Sequence, residues 1–147
     1  NGDIGLLKKD AISALYCSYF KLAQERSVMT VDLGDSRGFL NDGVLRYKVK
    51  WDTEIRFNEK TKAVFMLKIS RFTPSLKSFL ENNPFISIEN GGKLEGNIYL
   101  DYQKHSNINL VKEDMVKKYA SAGLSKLNLF YLNGTPESIQ HYVLELN

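Results

Sequence analysis

From Val44 to Phe57 apolar and polar residues alternate with a period of two. Leu45, Tyr47, Val49, Trp51, Thr53, Ile55 and Phe57 fall on one parity, and Val44, Arg46, Lys48, Lys50, Asp52, Glu54 and Arg56 on the other. This is the pattern of a β-strand with an apolar inner face and a charged outer one. At about 3.3 Å per residue the run is long for one flat strand. It is expected either as one strongly bent strand or as two strands meeting near Asp52-Thr53. Asn58 to Thr61 is a polar break of hairpin-loop length, and Lys62 to Phe72 reads as the returning strand. There Ala63, Phe65, Leu67 and Ile69 share one face, and Val64 and Met66 the other.

The pattern then changes period. Thr73-Pro74 opens a short helix, because a Thr oxygen can accept from free N–H groups and Pro fits the first turn. Leu76, Phe79 and Leu80 form its apolar stripe, and Asn82-Asn83-Pro84 ends it. Gly91-Gly92 turns the chain into a strand from Lys93 to Gln103, where Ile98, Leu100 and Tyr102 alternate with Asn97, Tyr99 and Asp101. Val111, Met115, Tyr119 and Ala122 have helical spacing, and Gly123 is a suitable left-handed stop. Lys126 to Leu132 and Ile139 to Leu146 are predicted as a terminal hairpin around a loop rich in turn formers. Near the start, Ile12, Leu15, Tyr16, Tyr19, Leu22 and Ala23 favour a helix over a poor strand alternation. Val28 to Leu33 is more strand-like, and Gly34 to Gly38 reads as a loop. The expected class is a mostly β α+β domain spanning residues 1–147, with an antiparallel, open or partial barrel and two short helices.

Composition narrows the function. In 147 residues, 43% hydrophobic and 25% charged, there is enough apolar material for a packed core. Twenty basic and 17 acidic residues give a net charge of +3, and the lysines are dispersed. Direct nucleic-acid binding is not expected, since it needs a concentrated basic face. No apolar run reaches the ~20 residues of a membrane span. The chain begins at Asn1, so removal of a preceding anchor or targeting segment is an open expectation.

Catalytic chemistry finds little support in the residues. Cys17 is the single cysteine and is expected as a small buried apolar side chain. His105 and His141 stand apart without neighbouring ligands at metal-binding spacing, and Gly91-Gly92 lacks the rest of a phosphate loop. No metal or cofactor is expected, and nothing joins Cys17 to either histidine as nucleophile and base. Asp52 and Glu54 read as outward charges paired with neighbouring Arg and Lys, and Asn133-Gly134-Thr135 reads as a turn rather than a glycosylation acceptor. A binding role is therefore expected rather than an enzyme. Tyr47, Val49, Trp51, Phe57, Phe65 and Leu67 are the candidate lining of an apolar pocket. An ordinary core would bury them equally, so both readings stay open.

Cys17-Ser18-Tyr19-Phe20, Gly43-Val44-Leu45-Arg46-Tyr47 with its long hairpin, Gly96-Asn97-Ile98-Tyr99-Leu100, a helix near Met115 and a terminal hairpin occur in that order. This order resembles the FidL-like and ToxS-like periplasmic accessory proteins that accompany membrane-bound ToxR-like transcriptional regulators. The resemblance implies a lipocalin-like periplasmic β domain, held to the bacterial inner membrane by an N-terminal helix outside this sequence. That domain would pair with and stabilise the cognate winged-helix regulator, and share a pocket for bile salts or similar fatty amphipathic ligands. It also implies that the segment around Cys17 is largely strand. The competing class is a structural component of type IV secretion or conjugation machinery, with a helix-first, nuclear-transport-factor-like α+β fold. A helix over residues 12–23 would accommodate it.

Overall fold

A computed structural model describes residues 10–59, 69, 71–89, 91–102, 104–105, 107–132 and 139–146. Two compact units are present, Asn1–Gly34 and Asp35–Asn147. In the first, helix α1 (Ala11–Glu25) follows Asp10, and the residues after it carry no regular structure. The helical spacing of Ile12, Leu15, Tyr19 and Leu22 is realised. The strand expected over Val28 to Leu33 is not: this segment lacks a pairing partner among the described residues, and a short apolar run without one gains no ladder hydrogen bonds.

The larger unit contains α2 (Gly43–Val49), α3 (Pro74–Asn82), β1 (Phe85–Ile88), β2 (Leu94–Asp101), α4 (Ile108–Tyr119), β3 (Leu124–Leu132) and β4 (Gln140–Glu145). The four strands form one sheet in the order β1-β2-β3-β4. β1 and β4 run antiparallel to their neighbours, whereas β2 and β3 are parallel. The sheet is open and mixed, so the class is α+β, with four helices among the described residues. The exclusively antiparallel expectation fails at β2 and β3 because α4 lies between them in sequence, and a crossover helix returns the chain in the same direction.

Pleating sorts the residues of the sheet. Ile86, Leu94, Ile98, Leu100, Leu127, Leu129, Tyr131, Tyr142 and Leu144 share one face and pack with Val111, Met115 and Tyr119 of α4 and with Leu40, Ile55 and Phe57. The alternation read in 93–103 and the helical spacing read in 111–122 thus meet in one core. Gly96 lies in the same row, where an added Cβ would stand 2.6 Å from Leu127 Cδ2. Asn107 and Thr73 cap α4 and α3 through their side-chain oxygens. α4 ends at Tyr119 with Ala120 as its cap, short of the expected Ala122, and Gly123, at φ of 93°, is not its stop but part of the turn that leads into β3.

The long strand expected from Val44 to Phe57 is corrected. Its first half is α2: the Asp42 carboxylate accepts from the N–H groups of Val44 and Leu45 and starts a helix. Leu45 and Lys48, three residues apart, are the buried positions. The lysine expected to point outward is 7% exposed, with Nζ donating to Asp35 O at 2.8 Å. Trp51 and Asp52 form a turn, Asp52 at φ of 57°, and residues 53–58 carry no regular structure and no strand pairing among the described residues. Only this second half behaves as read, placing Ile55 and Phe57 against the core. Arg56 pairs with Glu54 on the surface, as the charge alternation suggests. The returning strand of Lys62 to Phe72 falls largely, and Asn133-Gly134-Thr135 entirely, outside the described residues.

One core position carries a testable imperfection. Tyr131 is 2% exposed, and its hydroxyl has no hydrogen-bond partner among the described residues. Burial, and secondarily Tyr142, pushes its phenol above the ordinary value. Tyr131→Phe keeps the edge-on ring contacts to Tyr102 and Tyr142 while removing the desolvated hydroxyl. It should raise stability by about 1 kcal/mol, measured as a higher urea midpoint at unchanged slope.

Candidate functional site

The sheet's second face is built from the opposite parity and carries the polar chemistry. Glu95, Asn97 and Tyr99 of β2 stand beside Lys126, Asn128 and Phe130 of β3 in register. Ser87 and Phe85 of β1 and His141 of β4 extend these rows. Asn128 Nδ2 donates to Glu95 Oε2 at 2.9 Å and Asn97 Oδ1 at 3.3 Å. Asn97 Nδ2 donates to Ser87 Oγ at 2.7 Å. Because the Asn128 amide nitrogen is committed to acceptors, its oxygen faces His141 Nε2, 3.1 Å away, which therefore carries a proton. A directed chain of donors runs from His141 through Asn128 and Asn97 to Ser87, across all four strands.

Glu95 supplies the negative charge of this face. Its Oε1 lies 2.8 Å from Lys126 Nζ, which also reaches Glu89 at 3.2 Å. The first contact is an ion pair without hydrogen-bond alignment at Oε1. Burial is the largest single influence on the Glu95 carboxyl and pushes it up. The Lys126 ammonium, the Asn128 amide and Glu89 together outweigh burial and hold it below the ordinary carboxylate value. The partner effect appears on Lys126, raised chiefly by Glu95 and then by Glu89.

A second row runs beside the polar one. Phe85 stacks on Tyr99, Tyr99 on Phe130 and Phe130 on His141, with centroids 6.1, 4.9 and 4.6 Å apart and interplanar angles of 22°, 20° and 6°. The ring faces are thus turned toward one another across the strands. A platform for sugars or bases needs ring faces turned to solvent, so this row is better suited to stiffening the sheet than to stacking a ligand. Burial raises the Tyr99 phenol, in keeping with a packed ring. Both rows converge on His141.

The residues chosen from sequence as a pocket lining are dispersed. Tyr47 and Val49 lie on α2 and Trp51 in the turn after it, with Tyr47 and Trp51 edge to face at 6.5 Å. Phe57 packs on the sheet core, and Phe65 and Leu67 lie outside the described residues. The single-strand face that was to align them does not exist, because α2 points successive side chains 100° apart rather than 180°. The polar network was missed, although a signal for it is present. Glu95-x-Asn97-x-Tyr99 and Lys126-x-Asn128-x-Phe130 repeat one acceptor-or-charge, amide, aromatic parity on two strands, as facing rows would require.

The smaller unit offers a different kind of surface. No residue of α1 is buried, and Ile12, Leu15, Tyr19 and Leu22 remain exposed, Leu15 at 65%. Their spacing of three, four and three residues lays them along one stripe of the helix. Leu15, Tyr16 and Tyr19 form one wall, and Asp32 and Leu33 the other, of an open, mainly apolar groove of about 310 Å³. Cys17 lies on the opposite side of α1 from the stripe and is exposed, not buried as expected. The expectation of burial rests on residue type alone, since free cysteine is commonly a small buried apolar side chain, and the helical phase of 17 against the stripe overrides it. No protein-family model, curated protein or solved structure matches this chain.

Proposed function

We propose that this chain is a binding domain that contributes to a protein assembly, and that the apolar stripe of α1 meets an apolar surface of another subunit. One observation carries the reading: the helix has the periodicity of a packed element, yet its stripe is solvent-exposed. Such a contiguous exposed apolar face on a helix marks an interaction surface. Two partner classes follow. The helix over 11–25 supports the assembly-component reading, a subunit of secretion or conjugation machinery with a helix preceding an α+β sheet. The periplasmic co-sensor reading, with a ToxR-like regulator as partner and a shared bile-salt pocket, draws on the short strings around Gly43 and Gly96. It is at odds with helices where it requires strands, at Cys17 and at Gly43–Val49.

The test is affinity recovery of the full-length protein from its native cells, with the bound chain identified, for the parent and for Leu15→Glu. Recovery of secretion-channel subunits by the parent, falling at least about tenfold for Leu15→Glu, is expected from placing a charge in the stripe. An unchanged yield from Leu15→Glu would remove α1 as the contact. Recovery of a membrane-anchored winged-helix regulator in place of channel subunits would establish the co-sensor reading. Circular dichroism of the variant checks that α1 is still formed.

A further inference from the structure

The two edges of the sheet are treated differently. Outside β1 the chain lays down Gly38 to Leu40, with Leu40 N donating to Pro84 O and Ile86 N to Gly38 O, both at 2.8 Å, and a bridge between Phe39 and Phe85. Among the described residues nothing covers β4 in this way, and β4 pairs there with β3 alone. An edge strand with unpaired backbone groups is a template for another strand unless proline, lysine or a bulge blocks it. Gln140 to Glu145 contains none of these.

We infer that β4 pairs antiparallel with β4 of a second copy, about a two-fold axis through Val143, and so joins two four-stranded sheets. The phase of the backbone selects this arrangement. Leu146 N donates to Ser125 O at 2.9 Å, continuing the register in which Leu144 faces Leu127 and Tyr142 faces Leu129. The even-numbered residues of β4 therefore turn their N–H and C=O groups toward β3. His141, Val143 and Glu145 turn theirs to the open edge. An axis at Val143 sets these outward residues against one another, so each forms a hydrogen-bonded pair.

Side chains choose among the registers that the backbone permits. With the axis at Val143, each His141 faces Glu145 of the partner subunit, an imidazole opposite a carboxylate, and each Tyr142 faces Leu144 of the partner subunit on the core side. Val143 meets its own symmetry copy. Moving the axis to Tyr142 opposes His141 with Val143 and Glu145 with Ile139. Moving it to Leu144 opposes Val143 with Glu145. From His141 to Glu145 only the central register matches polarity, although it also sets Gln140 opposite Leu146 at its ends, and cross-strand pairs of this kind set register. A two-fold contact needs such self-complementarity. His141, held by Phe130 and Asn128 within its own sheet, enters the contact with its ring already oriented. The inference does not rest on the function proposed above.

The test is sedimentation of the parent chain up to about 100 μM, as suits a small edge contact, together with thiol crosslinking in a Cys17→Ser background. A dimer is expected. A short bifunctional thiol reagent should join Cys17→Ser/Val143→Cys chains readily, because the two positions coincide at the axis. Cys17→Ser/Gln140→Cys should crosslink at least about tenfold less, since those positions lie roughly 20 Å apart in this register. Val143→Pro removes an N–H that points away from β3, a place where an edge strand tolerates proline. It should weaken the dimer at least about tenfold while keeping the parent circular dichroism. A parent chain that sediments as a monomer throughout, or crosslinking at 140 equal to or above that at 143, overturns the inference. Should Val143→Pro disturb folding, the paired crosslinks still decide it.

Discussion

Gly123→Ala should destabilise the larger unit by about 4 kcal/mol, a sum of backbone strain and forced displacement that are each about 1–3 kcal/mol. Gly123 sits at φ of 93°, which side chains rarely adopt, and a Cβ there would stand 1.9 Å from Ile55 O and 2.8 Å from Ile55 N. These are backbone atoms and cannot rotate aside. Ile55 N donates to Ala122 O at 2.7 Å, so separating the two segments also breaks the bond that seats residues 53–57 on the core. Urea unfolding should show a much lower midpoint. Gly91→Ala is the comparison: φ is 102°, but nothing lies within 4 Å of the added Cβ. It should lose only the strain portion, about 1–2 kcal/mol. Equal losses in the two variants would show that the close approach of Ile55 contributes nothing.

Gly123 also marks where the sequence is legible and where it stops being so. Its left-handed turn follows from local chemistry, as do the Thr73-Pro74 start of α3, the Gly91-Gly92 turn and the alternation in β2, although the helix ahead of Gly123 stops earlier, at Tyr119. Each is decided by residues a few positions apart. That Ile55 presses on Gly123 is decided by folding, across nearly seventy residues of chain. The stretch 44–57 shows the opposite hazard. Leu45 and Lys48 fit a helix and Leu45, Tyr47 and Val49 fit a strand, and over seven residues the two periods are poorly separated. The Asp42 cap settles the matter locally, and it lies just ahead of the window in which the alternation was counted. β1, Phe85–Ile88, is too short to show a period at all.

The candidate site was less legible than the fold for a related reason. Glu95 and Asn128 are 33 residues apart, and they meet only because β2 and β3 run parallel. An antiparallel reading of the sheet reverses β3 and destroys the register that aligns the two Asn positions. The signal that would have corrected this is α4 itself, since a strand, a helix of a dozen residues and another strand make a crossover rather than a hairpin. His141, read as an isolated histidine, gains its meaning from the same step: Phe130 and Asn128 flank it only once β4 is laid against β3.

Glu95→Gln should cost about 2 kcal/mol near neutral pH, within the range for hydrogen bonds to a charged group. The carboxylate is 11% exposed, with Oε2 accepting from Asn128 and Oε1 facing the Lys126 ammonium as an ion pair. An amide cannot replace it, because its NH₂ must then point at one of these two donors. Burial favours the neutral acid, yet Lys126, Asn128 and Glu89 together overcome it and hold the carboxyl below its ordinary value. A depressed carboxyl contributes stability that is complete above the unfolded-state value of about 4.3 and is lost as pH falls through the lower folded-state value. The gap between parent and Glu95→Gln should therefore be widest at pH 7 and begin to narrow below about pH 4.3. It should close once Glu95 is protonated in the folded protein. Urea midpoints for the two proteins across that range measure it. A gap that stayed constant into acid would mean that the carboxylate charge does not hold the polar row together, and that shape alone accounts for the loss.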